Sequence, residues 1–286
     1  MRHADFDEKD LTEINCPVCN SDRRKFQFLE NRFKVWTCLN CSHIYVSPQP
    51  NKNFFKKWYA DDYNDESDNP GQYEDHRDDV FNKTIQAINN FKKDKGDLLD
   101  IGSGFGGFLE KASMTGWNIH GLELNKARHT VCMNRFSSFP NENFIHGTLE
   151  DTAYEKSSFD VIVLINVIEH VKDPIDICKR AYEMLRPGGC IVIRWPQFTY
   201  RNSLQFAPEH LHGFTGKSIR SLLKSLNYKD MREYWAGIGD FTKDTSIIKK
   251  YIAFLIGLIG RVCIEVTFGR GQILFLSRLI LARKPK

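Results

Sequence analysis

Strand-like and helix-like patterns that alternate from residue 97 onward, a glycine-rich turn behind the first of those strands, and two CxxC pairs ahead of them predict an α/β chain with a small N-terminal ribbon. Strands that alternate with helices are joined by right-handed crossovers, so the main part is expected to be a doubly wound parallel sheet. A length of 286 residues accommodates one large domain and an appendage, and 41% hydrophobic content excludes a disordered chain. The formal net charge of +4 is too mild to nominate a nucleic-acid binder.

The ribbon comes first. Cys16-Pro-Val-Cys19 and Cys38-Leu-Asn-Cys41 are two knuckles separated by 18 residues. The opening MRHADFDEKD has no basic flank followed by an apolar run, so a secretory signal is not read and a reducing, cytoplasmic compartment is expected. That favours metal over disulfides: paired thiolates at this separation suit Zn²⁺, which takes four sulfurs as a tetrahedron. Short strands are expected at 25–29 and 32–36, and a unit so small would draw most of its folding free energy from the metal. His43 is expected not to ligate. Cys132, Cys178, Cys190 and Cys263 stand singly in apolar-periodic segments, as buried small hydrophobes do.

Composition then changes. Phe54, Phe55, Trp58, Tyr59, Tyr63 and Tyr73 lie in or beside an acid-rich stretch, 61–79. Solvated surface explains the acids, whereas the rings are expected to cover the next domain or a ligand held there. Val80, Phe81, Ile85, Ile88 and Phe91 recur at helical spacing. These shifts divide the chain into a ribbon (1–48), an aromatic and acidic connector with a cap helix (49–92), and a main domain (93–286).

In the main domain, strands are expected at DLLDI (97–101), NIHGLEL (118–124), ENFIHG (142–147), FDVIVLI (159–165) and CIVIRW (190–195). Helices are expected from 106, from 125, at 174–185 and at 216–226, and 229–235 and 272–282 are further strand candidates. Between those two lies an apolar run, 251–260, shorter than the roughly 20 residues a bilayer span takes. With Lys249, Lys250 and Arg261 around it, the segment 247–264 could meet a membrane surface, or pack on the sheet or on a second subunit.

Glycines at 102, 104 and 107 satisfy GxGxxG behind the first strand, and Glu123 follows about 20 residues later in the second. Such glycines let the turn tighten and a ligand approach the backbone, while the acid can bind two ribose hydroxyls. NAD and S-adenosylmethionine both satisfy this much. Asp100, two residues before the first glycine, suits a cationic methionine end and would face a pyrophosphate badly. Asn166, Glu169 and His170 follow the fourth strand, at the end where open α/β sheets place their chemistry. The run MLRPGG (184–189) reads as a helix stop feeding the fifth strand.

On DIGSGFGGF, GLELN, SFDVIVLINVIEHVKDP, LRPGG and PEHLHGF, with CPVC, CLNC and IYVSPQP in the ribbon, the chain resembles the class I S-adenosylmethionine-dependent methyltransferases. Within them it is similar to the bacterial group in which a four-cysteine ribbon precedes the catalytic domain, and the resemblance covers nearly the whole chain. It implies a seven-stranded Rossmann-like sheet with the last strand antiparallel, S-adenosylmethionine as cofactor, and Zn²⁺ on Cys16, Cys19, Cys38 and Cys41. Carried over, Asp100, Gly102, Ser103 and Gly104 line the methionine and ribose side, Glu123 the ribose hydroxyls, and Leu124 the adenine. Thr148, Leu149 and Glu150 form the loop at the adenine edge. Thr148 stands where many relatives have Asp, so the adenine amino contact passes to Glu150 or a backbone group. Asn166 approaches the methionine carboxylate or amine.

Methyl transfer from a sulfonium is an in-line displacement, so the acceptor must be aligned and, at oxygen or carbon, deprotonated. His170 is the first candidate base, Glu169 can orient it or bind the acceptor, and His212 and His210 follow beyond the fifth strand. Asn166-Val-Ile-Glu169 is not the Asn/Asp-Pro-Pro-aromatic signature that gathers amino groups of adenine or glutamine, and no cysteine sits in a motif for C5-pyrimidine methylation. The expected acceptor is an oxygen, carbon or nitrogen of a small molecule. The resemblance points to glycan, nucleotide-sugar or natural-product pathways. The alternative is an RNA base methyltransferase gripping RNA through Arg23, Arg24, Lys25, Arg32, Lys34, Phe33 and Trp36, against which the acidic stretch counts. A third reading is a membrane-surface or interaction module that binds S-adenosylmethionine. The oligomeric state is not written in the sequence.

Overall fold

The computed structural model describes residues 10–30, 33–51, 77–196, 210–239 and 275–286. Phe54, Phe55, Trp58, Tyr59, Tyr63, Tyr73, most of the acidic stretch, Arg32, Pro208, Cys263 and the segment 247–264 lie outside the described residues.

In chain order the elements are β1 (Leu11–Thr12), β2 (Arg24–Glu30), β3 (Phe33–Cys38), β4 (Ile44–Val46), β5 (Gln49–Pro50), α1 (Asp78–Phe91), β6 (Asp97–Ile101), α2 (Gly107–Met114) and β7 (Asn118–Glu123). They continue with α3 (Lys126–Arg135), β8 (Phe144–His146), β9 (Phe159–Ile165), α4 (Pro174–Met184), β10 (Leu185–Pro196), β11 (His212–Gly213), α5 (Gly216–Ser225), β12 (Lys229–Gly239) and β13 (Phe275–Arg283).

Local chemistry sets the helix starts. Asp173 accepts from the amides of Ile175 and Asp176 with Pro174 at the first helical position, Asn125 accepts from Arg128, and Thr215 and Ser218 form a reciprocal capping box. Side chains alternate along β9: Val161, Val163 and Ile165 share a cluster with Phe81, Ile88 and Phe108 of the first two helices and with Phe136 just past α3, and Ile162 and Leu164 share the other with Ile177, Ala181, Leu222 and Leu223. From Val161 to Ile165 this central strand is therefore apolar on both faces.

The main sheet has seven strands in the order β12-β13-β10-β9-β6-β7-β8. Strands β6 to β10 are parallel to their neighbours within that group, and β13 is antiparallel to both β10 and β12. After β6 the chain builds β7 and β8 on one flank, then returns to lay β9 on the other. That reversal opens a crevice outside the carboxyl ends of β6 and β9, the place where such sheets take ligands. At the opposite ends of the same strands, Arg186 bridges Asp97 (2.8 Å) and Asp160, and Lys92 reaches Asp160 at 3.2 Å.

The ribbon does not close on itself. Its sheet runs β11-β4-β3-β2, and the fourth strand comes from the main domain: His212 pairs with Tyr45 and Gly213 with Ile44. Cys16, Val18, Cys38, Cys41 and Tyr45 share one apolar cluster with Leu99, Leu164, Trp195 and Phe214. Among the described residues, no helix is long and apolar enough to cross a membrane.

Candidate functional site

Two pairs of thiols stand at the ribbon tip, Cys16 with Cys41 and Cys19 with Cys38, each at 3.5 Å between sulfurs, and all four sulfurs lie within 4.8 Å of one another. A tetrahedral Zn²⁺ with Zn–S of about 2.3 Å holds its sulfurs about 3.8 Å apart, so the cluster fits that ion. Contact with Cys16 lowers the Cys41 thiol, while the same contact and burial raise Cys16, so the close-set sulfurs share their protons. His43 is not part of that group, and its Nε2 meets His212 Nδ1 at 3.2 Å. Cys132, Cys178 and Cys190 are buried in the core.

On the main domain, the turn after β6 is built by backbone. Gly102 and Ser103 donate to the Leu122 carbonyl at 2.7 and 3.1 Å, and Gly102 has φ of +78°. A Cβ on Gly102 would lie 2.6 Å from Val167 Cγ2, so glycine lets this turn and the one behind β9 touch. Gly104, at φ +56°, has nothing within 4 Å of where its Cβ would be. The Glu123 carboxylate accepts from the amides of Gly104 and Asn125, both at 2.7 Å, and so fixes the open face of the turn. Asp100 is 2% exposed, and its Oδ1 has no hydrogen-bond partner among the described residues. Burial, then the negative charge of Glu123, raise its pKa well above the carboxylate range.

The residues expected around an adenine differ in exposure. Leu124 is exposed, Leu149 buried and Glu150 exposed, and Ser103 is buried. Thr148 spends its hydroxyl on Asp151 at 2.7 Å. Asn166 directly follows β9 with φ of +54°, and its Oδ1 accepts from Arg194 at 2.8 Å, leaving its amide N–H groups as donors. Arg194 was not singled out by sequence. It is 4% exposed, and its other end donates to Ser277 at 2.8 Å on β13. The available signal was an arginine inside the apolar run CIVIRW, a placement that a central strand tolerates only with polar partners.

Beyond Asn166, the turn carrying Glu169 and His170 meets His210. Their ligand atoms lie within 4.8 Å of one another, Glu169 Oε1 is 4.0 Å from His170 Nε2, and the two imidazoles are 4.6 Å apart at their centroids. A group of this composition could hold a divalent cation or handle a proton. Glu169 is 1% exposed, and burial pushes its carboxyl up to about 7, against the opposing pull of its own backbone hydrogen bond and of Arg194. His212, expected among the proton-handling candidates, is not brought to this cluster. It is fully buried, Nε2–H donates to the Val171 carbonyl at 2.8 Å, and Nδ1 meets His43 at 3.2 Å. Burial holds it down at about 4, as a neutral ring.

The two ribbon rings expected to stack on bases, Phe33 and Trp36, are already engaged. Phe33 is 2% exposed, and Trp36 is covered by the Arg24 guanidinium at 4.2 Å with its indole N–H on the Ser47 carbonyl.

A sequence model of the family described as "Methyltransferase domain" matches residues 73–233. The chain is 28% identical over 127 residues to phosphoethanolamine N-methyltransferase 2 of Caenorhabditis elegans, covering 43% of this chain and 28% of that protein. It is 30% identical over 94 residues to the ubiquinone biosynthesis O-methyltransferase of Pseudomonas savastanoi pv. phaseolicola, covering 32% of this chain and 40% of that protein. The match thus spans less than half the length of either relative. Among solved structures, the chain is similar in fold to Haemonchus contortus phosphoethanolamine N-methyltransferase 2 in complex with S-adenosyl-L-methionine, with a TM-score of 0.56 at 16% identity, covering 85% of this chain and 63% of that one.

Proposed function

The chain belongs to the methyltransferase-domain family, and from that premise we propose that it is an S-adenosylmethionine-dependent methyltransferase acting on an oxygen, carbon or nitrogen of a small molecule, with Zn²⁺ in its ribbon. The observation that carries the cofactor reading is the buried, unpartnered Asp100 oxygen beside a second carboxylate, in a turn with open space over Gly104. Two adjacent acids favour a cation. S-adenosylmethionine brings a sulfonium and an ammonium, whereas a pyrophosphate would add negative charge.

Asp100, Gly102, Ser103 and Gly104 would hold the methionine and ribose side, Glu123 the ribose hydroxyls, and Leu124, Leu149 and Glu150 the adenine. Asn166, oriented by Arg194, would offer N–H donors to the methionine carboxylate. When bound, the cofactor supplies an electrophilic methyl group. What falls to this chain is to align the acceptor and take its proton. His170 would take that role beside Glu169, whose carboxyl is pushed up to about 7 by burial. A small acceptor is supported by the names of the two relatives and by the engagement of Phe33 and Trp36, the two rings on which the RNA alternative relies.

Calorimetry with S-adenosylmethionine and with NAD tests the cofactor, and methyl-labelled S-adenosylmethionine with a cell extract, before and after ribonuclease, tests the acceptor. Binding of the first nucleotide and a ribonuclease-resistant, low-mass labelled product are expected. Binding of NAD alone would overturn the reading, and label confined to RNA would move it to the RNA alternative.

A further inference from the structure

The second knuckle is wired to the candidate acceptor site by an unbroken chain of short contacts. Within the knuckle, Ser42 donates to the Cys38 carbonyl at 3.0 Å and Cys38 to the His43 carbonyl at 2.8 Å, so His43 is held by the cysteine cluster. From the main domain, Lys217 reaches the Asn40 carbonyl at 2.9 Å. His43 is fully buried, its ring 4.6 Å from that of Phe214, and it meets His212 at 3.2 Å. His212 Nε2–H is committed to the Val171 carbonyl, which leaves Nδ1 as an acceptor and makes His43 Nε2–H the donor. The backbone repeats the connection: Leu211 and His212 both donate to the Glu169 carbonyl, at 2.9 and 3.2 Å, while Val46 of the ribbon donates to the Leu211 carbonyl at 3.1 Å.

Resting on the reading that the Glu169–His170 turn serves the acceptor, we propose that His43 and His212 are positioning residues: they couple the four-cysteine cluster to that turn, so that the metal-loaded ribbon sets the acceptor end of the site. Three carbonyl or ring acceptors in the turn and on His212 receive donors that either belong to the ribbon or are held by it. Loss of the His43 donor would leave His212 Nδ1 buried without a partner, an uncompensated desolvation cost that weakens the seating of His212 against the turn. The glycine turn behind β6 lies on another strand and receives none of these bonds.

Amide hydrogen exchange on the zinc-loaded protein tests the coupling, with S-adenosylmethionine affinity and zinc content measured alongside. His43→Phe keeps a ring among Tyr45 and Phe214 but has no donor, and His43→Gln returns an N–H. In His43→Phe, exchange at His170, Leu211 and His212 is expected to accelerate at least tenfold, with one zinc per chain and cofactor affinity within about twofold of the parent. His43→Gln is expected to restore most of the protection. Unchanged exchange in His43→Phe would overturn the proposal, and so would a His43→Gln protein as fast as His43→Phe. If His43→Phe does not fold, withdrawal of zinc from the unmodified protein by a chelator is expected to accelerate the same amides, and persistent protection there overturns the coupling. Failure of the unmodified protein to bind S-adenosylmethionine would sink the proposed function while leaving the exchange result to stand or fall on its own.

Discussion

Alanine at Gly102 and at Gly104 separates backbone strain from exclusion of a ligand. Both glycines are left-handed, at φ +78° and +56°, and an L-residue there costs about 1–2 kcal/mol. At 102 the new Cβ also meets Val167 Cγ2 at 2.6 Å, and a β-branched side chain has little freedom to turn aside. Overpacking of that kind adds about 1–3 kcal/mol. The sums are about 2–5 kcal/mol for Gly102→Ala and about 1–2 kcal/mol for Gly104→Ala, whose Cβ meets nothing within 4 Å. In a chain of this size each kcal/mol lowers the melting temperature by roughly 2–4 °C, so Gly102→Ala melts several degrees below Gly104→Ala. Binding distinguishes them differently. The methyl of Gly104→Ala projects into the space proposed for the cofactor, and a loss of about 2 kcal/mol there is roughly a 30-fold rise in Kd. Thermal melts and calorimetry with S-adenosylmethionine read both quantities. Wild-type affinity in Gly104→Ala would refute the assignment of that space to a ligand, and equal melting of the two variants would refute the clash with Val167.

His170→Ala is expected to bind S-adenosylmethionine as the parent does and to lose about 10²–10⁴-fold in turnover on the true acceptor; full turnover would remove His170 from the mechanism. Glu169→Gln tests the buried acid through pH. With its folded pKa raised to about 7, Glu169 stabilises the fold at low pH and loses that contribution as pH rises, whereas His212, lowered to about 4, destabilises it as pH falls below its ordinary 6.5. The two slopes oppose one another, so Glu169→Gln should lose about 2 kcal/mol relative to the parent between pH 7 and pH 5 in denaturant titrations. Elemental analysis should find one zinc per chain, absent from Cys38→Ser/Cys41→Ser, with a lowered melting temperature because the ribbon packs on the main core.

Most of the fold was legible because its signals are local. Strand ends at 101, 165 and 196 follow apolar runs into glycine or polar residues, and Asn125, Asp173 and Thr215 announce the helices after them. The extension of β12 to Gly239 was not, since it follows β13 beyond its own alternating pattern. The glycine turn, its two acids and the four cysteines could be found by spacing alone. What spacing could not supply was partnership at long range. His212 read as a candidate base because it is a histidine beyond the fifth strand; its partner is His43, 169 residues away, across a two-residue strand that no periodicity announces. Arg194 was hidden for the converse reason: its strand reads as apolar, and only the fold brings Asn166 and Ser277 to its two ends.

The two ends of β6 use the same residue type for opposite purposes, and Asp100→Asn makes the contrast measurable. At the amino end, Asp97 is matched by Arg186 at 2.8 Å. Near the carboxyl end, Asp100 is buried against Glu123 with no cation beside it among the described residues, and its pKa is raised by burial and then by that neighbour. A carboxyl whose folded pKa exceeds its unfolded value costs stability at every pH where the unfolded chain is ionised and the folded site resists ionisation. Asparagine has the same shape and no charge, so Asp100→Asn is expected to melt above the parent at pH 7–8. The gain should shrink as pH falls toward the ordinary carboxylate value of about 4, where both proteins are neutral at this position. The same substitution removes the charge proposed to meet the cofactor's cationic end, so S-adenosylmethionine affinity should fall by about tenfold or more, the loss of one charge-assisted contact of about 1.5–3 kcal/mol. A variant that is both less stable at pH 8 and unaltered in affinity would mean that Asp100 is a structural acid like Asp97. A gain in stability bought with a loss of binding would locate the cost of function at this one oxygen.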